Sequence, residues 1–165
     1  MERAHWSLQP FPAPPASLPA SLAAIPLGVS CTSAIVCTAV GSAASAQTGQ
    51  AASFPPDQAV VGNWNAATWS TQTQNYPPAI YRSPSTQTPH TSLTAVACQT
   101  SASCAAVGSY VASNGDIGPL GAVWDGSTWT ETVLRRGPVQ LASVACPALG
   151  WCMAVGGVIA ERLVG

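Results

Sequence analysis

The chain contains no lysine, and only 7% of its 165 residues are charged. Its five arginines are scattered apart from the doublet Arg135-Arg136, and the net charge is -1. Nucleic acid as a partner is therefore excluded, because phosphate binding needs a clustered basic face. The same poverty leaves nothing to hold an anionic membrane surface. Gly-x-Ser-x-Gly, P-loop and dinucleotide fingerprints are all missing, which removes the enzyme classes that depend on them. No segment shows helical periodicity with caps. Acids are few, namely Glu2, Asp57, Asp116, Asp125, Glu131 and Glu161.

What remains is apolar and small. Apolar residues make up 47% of the chain, enough for one domain with a core, over a surface of Ser, Thr, Gln, Asn and Gly. Six cysteines, an even number, could pair in 15 ways, and in a charge-poor chain they point to an oxidising compartment.

The cysteines sit in a repeat. "LGVSCTSAIVCTAVG" runs from Leu27 to Gly41, "LTAVACQTSASCAAVG" from Leu93 to Gly108, and "LASVACPALGWCMAVG" from Leu141 to Gly156. Each has a Leu, a Val before the first Cys, five intervening residues, a second Cys and then Ala-Val-Gly. The first copy is one residue shorter ahead of its cysteine. "NWNAATW" and "VWDGSTW" follow the first two copies, and Trp64 to Trp124 and Trp69 to Trp129 are both 60 residues apart.

Locally these are strands. "LTAVAC" and "CAAVGSYV" are short β-branched runs bounded by turn formers, and "LGAVW" is a third. Asp125-Gly126 is a hairpin turn signal, and a fourth strand opens at Trp129. Each repeat thus reads as four antiparallel strands, a to d. In the third copy "IAERLVG" aligns with "LGAVWDG", so Ile159–Leu163 is strand c and Gly156-Gly157 a tight hairpin. Strand d is missing there, but "WSLQPFP" at 6–12 aligns with "WSTQTQN" from Trp69. Pairing that segment with the last strand c would place Leu163 beside Trp6. The Pro-rich stretches 10–26 and 77–89 are expected to be irregular linkers.

The pattern "AVGSY…VWDGSTW" resembles the kelch-type blade of β-propellers. More closely, the chain resembles the cysteine-paired propeller repeats of secreted actinobacterial proteins, a kelch-like, galactose-oxidase-central-domain-like group. The resemblance implies an all-β chain of three propeller-type blades, a partial or small propeller. One domain spans 1–165, with blade 1 at about 26–75, blade 2 at about 92–134 and blade 3 at about 140–165 plus 6–12. It carries over no general activity. Departures are Gly108-Ser109 for a glycine doublet, Asn65-Ala66 for Asp-Gly, and Leu163 for Trp. Three blades fall short of the usual four to eight, so the open blade edges invite self-association.

Cysteines flanking a five-residue hairpin connection come within disulfide reach on adjacent strands. The expected pairs are Cys31 with Cys37, Cys98 with Cys104, and Cys146 with Cys152. Free buried thiols and a metal site are the competing readings. Zinc knuckles, however, use spacings of about two to four, and redox sites use Cys-x-x-Cys. His5 and His90 are too few for a copper-radical centre, and His90 in "TPHTS" reads as a loop residue. Neither cofactor nor metal is expected. Trp64/Trp69 and Trp124/Trp129, with Trp6, are structural aromatics packed across strands, with a sugar-stacking platform as the competing reading.

No charge occurs from Ala4 to Pro56, so 25–46 competes as a signal or membrane segment. Its core recurs twice, which favours a blade and no stable membrane span. Met1 then opens no secretion signal, and the start is expected to lie inside a longer gene. The expected role is a non-catalytic extracellular or cell-envelope module that binds protein or glycan. The alternatives are a carbohydrate-active hydrolase or lyase using Asp116, Asp57 or Glu161, and a propeller fragment without a function of its own.

Overall fold

The computed structural model describes residues 7–15, 18, 22–45, 58–75, 77–81, 88–134, 137–157 and 159–164. Their regular structure is eleven strands and one 3-10 turn at Pro78–Ile80. Sheet one holds β1 (Leu22–Ser33), β2 (Val36–Ser45), β3 (Gln58–Trp64) and β4 (Trp69–Thr73) in that order. Sheet two repeats the order with β5 (His90–Thr100), β6 (Ser103–Val111), β7 (Ile117–Trp124) and β8 (Trp129–Val133). Sheet three has β9 (Ser143–Ala148), β10 (Trp151–Gly156) and β11 (Ile159–Val164). All neighbours are antiparallel, so the chain is all-β.

Turn chemistry explains the hairpins. Asp125 Oδ1 accepts hydrogen bonds from the backbone N–H groups of Ser127 and Thr128, both at 2.8 Å, while Gly126 takes φ +96°. In sheet one Asn65 Oδ1 does the same work for Ala67 and Thr68, at 3.2 and 2.9 Å. Ala66 is forced to φ +73° in the glycine position, a region that disfavours a Cβ. At the β10–β11 hairpin Gly157 takes φ +56° and Gly156 pairs with Ile159.

The sheets stack face to face in chain order. Val40 and Val61 of sheet one share a buried cluster with Leu93, Val96, Cys104 and Leu120 of sheet two. The other face of sheet two presents Val107 and Ala95 to Leu141, Val144 and Ala154. With both faces covered, β6 is buried without alternation from Cys104 to Gly108. The a strands also touch directly. Cys98 N–H donates to Ser30 Oγ at 2.9 Å, and Thr94 Oγ1 donates to the Leu141 carbonyl at 2.6 Å.

The repeat's Ala-Val-Gly glycine has a steric cause. A bulge in each of β1 and β5, at Leu27 and Thr94, folds the a strand over strand b. A Cβ on Gly108 would strike the Ser92 carbonyl and come 2.8 Å from Leu93 Cα; Gly41 and Gly156 meet the same obstacle at Ile25 and Gln140.

Three expectations need correcting. Leu27 is not the counterpart of Leu93 and Leu141, which are both fully buried, for it is 52% exposed on the bulge. The counterpart is Pro26, which pairs with Gly41 as Leu93 pairs with Gly108. Proline is tolerated at that place because the bulge interrupts the ladder. It follows that 22–26 is strand, not linker. Second, residues 7–12 form no strand and lie on sheet one rather than sheet three. Phe11 stacks on Trp69 at 5.3 Å and covers Gly62, and Thr71 Oγ1 donates to the Ala13 carbonyl at 3.0 Å. An aromatic ring over a glycine finds an open face there. Trp6 lies outside the described residues, and Leu163 pairs with Cys152 in β11. Third, His90 is no loop residue; it opens β5 opposite Val111.

Candidate functional site

The six cysteines form three disulfides, Cys31–Cys37, Cys98–Cys104 and Cys146–Cys152, with Cα separations of 4.0, 4.0 and 4.1 Å. In sheets one and two the bonded residues are direct cross-strand partners. Each closes a loop of about seven residues, worth roughly 2.4 kcal/mol on the chain-entropy account. They join strands a and b at one end of each sheet and offer no thiolate for chemistry.

The tryptophan pairs sit at the same end. Trp64 and Trp69 face each other with ring centroids 5.6 Å apart, and Trp124 and Trp129 at 5.7 Å. Trp124 and Trp129 pack against the cluster between sheets one and two, and Trp124 Nε1 donates to the Ser101 carbonyl at 3.0 Å. Trp69 carries Phe11 on its ring. These indoles are half-buried against their neighbours, and Trp69 with Phe11 also lines a groove of about 370 Å³.

The acids are dispersed. Asp125 is committed to its turn. The Thr128 N–H, then the Ser127 hydroxyl and N–H, hold its carboxyl well below the usual carboxylate range. Asp116 N–H donates to Asn114 Oδ1 at 3.2 Å, and Asn114 Nδ2 donates to Asp116 Oδ2 at 2.9 Å. Glu161 stands in β11 opposite Ala154. Glu2, Asp57 and His5 lie outside the described residues. Among the described residues no three His, Cys, Asp or Glu side chains gather to hold a metal.

Glu131 was counted among the acids in the sequence but given no role. It lies in β8 between Trp129 and Val133, on the face they turn toward sheet one. Both carboxyl oxygens are buried and have no hydrogen-bond partner among the described residues. Burial pushes its pKa from 4.5 up to about 8, so it is mostly a neutral acid at pH 7. The signal was present in the alternation Trp-x-Glu-x-Val, which aims the acid at the apolar face.

Besides the groove beside Trp69, two places among the described residues can receive a ligand. One is a loop cluster at the end of the stack remote from the disulfides. The b–c hairpin of sheet two meets the connection from sheet one, where Ser113 N–H donates to the Ile80 carbonyl at 3.0 Å. Beside that contact Tyr81 is 56% exposed, and Asn114 and Asp116 face solvent. The other is an apolar cleft of about 150 Å³ between sheets two and three, lined by Val107, Val123, Leu134, Val144 and Ala154 with Arg162. No described helix is long and apolar enough to cross a membrane. No family model matches the chain, nor does any curated protein or solved structure.

Proposed function

We propose that the chain is a non-catalytic, propeller-like binding or scaffold module of the cell exterior or envelope. It is of the cysteine-paired, kelch-like kind that its repeats resemble. The observation that carries this reading is the disulfide-stapled hairpin, made three times and stacked in one orientation. Such staples persist where thiols are oxidised. A stack of rigid sheets gains function through the loops at its ends. The cluster of Tyr81, Asn114 and Asp116 joins an exposed aromatic ring to hydrogen-bonding groups, which is the chemistry of glycan or peptide recognition.

The test is a glycan, peptidoglycan and peptide array probed with oxidised protein. A hit that weakens at least tenfold in Tyr81→Ala or Asn114→Ala, with unchanged circular dichroism, supports the loop cluster. A hit indifferent to both variants moves the site elsewhere. Turnover of an array glycan would replace the binding reading with a hydrolase or lyase.

A further inference from the structure

Every junction in the stack is assembled from two halves. The trailing half is the valine three residues after the second cysteine, and the leading half is the valine two residues before the first. Val40 meets Val96 in one buried cluster, and Val107 meets Val144 in the next. The third copy of each half has no described sheet against it. Val155 on sheet three is 47% exposed and Val29 on sheet one 61%, whereas Val40, Val107 and Val96 are 1%, 5% and 7% exposed. Val29 opens on a groove of about 370 Å³ that it lines with Pro26, Ala39, Phe11 and Trp69. Pro26 stands there as Leu93 and Leu141 stand in the two finished junctions.

The outer strands show the same mismatch. Between sheets one and two the space beside the outer strands holds Trp129 and Val133 of β8. Sheet three has no described fourth strand, and the corresponding space is the apolar cleft beside Val123 and Leu134. The segment 6–12 has the sequence pattern of a fourth strand. Its Leu8 is fully exposed, and its Phe11 already lies on the leading face of sheet one, the side from which a preceding sheet would approach.

We propose that two copies of this chain close on each other head to tail. The Val155 face of each copy covers the Val29 face of the other. Residues 7–12 of each copy add to the edge of β11 in the other as its fourth strand, with Leu8 entering the cleft. The occupant is a second copy because the chain itself carries both halves of a junction that it completes twice internally. Two such heterologous contacts related by a twofold axis form a closed ring. Twice three sheets makes six, within the usual propeller range of about four to eight blades. Ring closure rests on the propeller reading and is independent of any ligand.

Sedimentation and light scattering on the oxidised full chain test this. The expected mass is twice the 16.7 kDa of one chain. Val155→Asp and Val29→Asp should each give the single-chain mass, and mixing the two variants should restore the dimer through its one native junction. Leu8→Asp should weaken association at least tenfold. Val29→Asp alters an exposed side chain and keeps the experiment readable should Val155→Asp misfold. A single-chain mass for the unaltered protein overturns the proposal. So does a dimer that survives Val29→Asp, which would mean sheet-three faces paired with each other, and so do open-ended polymers. A monomer that still binds an array ligand leaves the binding reading standing, whereas a dimer with no ligand leaves only the assembly.

Discussion

Glu131→Gln should abolish one specific pH dependence of stability. In the folded chain burial holds the Glu131 proton up to about pH 8, while the unfolded chain releases it near 4.5. Below that lower value both states are protonated and the group contributes no pH dependence. Between the two values the unfolded state binds fewer protons than the folded one, so stability falls as pH rises. The gap between 4.5 and about 8, at about 1.4 kcal/mol per unit, amounts to roughly 5 kcal/mol over the whole window and roughly 3 by pH 7. Against a typical total of about 5–15 kcal/mol, that loss is large. Glutamine keeps the shape and cannot ionise. Urea midpoints followed by tryptophan fluorescence at pH 5, 7 and 8.5 provide the assay. The two proteins should agree within about 1 kcal/mol at pH 5, because a neutral acid and an amide face similar burial costs. At pH 8.5 the variant should be more stable by roughly 3–5 kcal/mol. Parallel profiles across the range would refute the reasoning and place the carboxyl in water.

Three further outcomes follow from the repeat geometry. Leu93→Ala should cost about 2–5 kcal/mol and Leu27→Ala stay within about 0.5, since one side chain is buried and the other rides a bulge; chemical denaturation separates them. Ala66→Gly should raise the unfolding free energy by about 1 kcal/mol, read from the shift in urea midpoint, because the native φ of +73° disfavours a Cβ. Gly108→Ala should cost about 1–3 kcal/mol or more, as the new methyl meets the Ser92–Leu93 backbone. Gly121→Ala is the control and should cost less, because there the neighbour is the movable tip of Leu134 at 3.2 Å.

Much of this architecture could be read along the chain. Cysteines six apart in an apolar frame placed two strands and their connection together, and the structure bonds those same cysteines. Asp125-Gly126 marked a hairpin that the structure contains, and Trp64/Trp69 and Trp124/Trp129 are cross-strand partners. The candidate site was far less legible. Asp116 was expected in a loop and is in one, but the approach of that loop to Ile80 joins segments more than thirty residues apart. Glu131 passed as one acid among six.

The division has a physical basis. By itself the sequence determined most of the strands, their hairpin order and the disulfide partners, but not the strand at 22–26 or the lack of one at 7–12. These follow from short β-branched runs, turn chemistry and cysteine spacing, all of which act over a few residues. Only the tertiary structure decided which face of each sheet is covered and by what. It set Pro26 rather than Leu27 in register with Leu93, laid Phe11 over Gly62, turned Glu131 inward, and left Val29 and Val155 uncovered. Burial of apolar surface is non-directional. It rewards any sheet that covers another, so local pattern alone cannot name the partner, and the stacking order settles it.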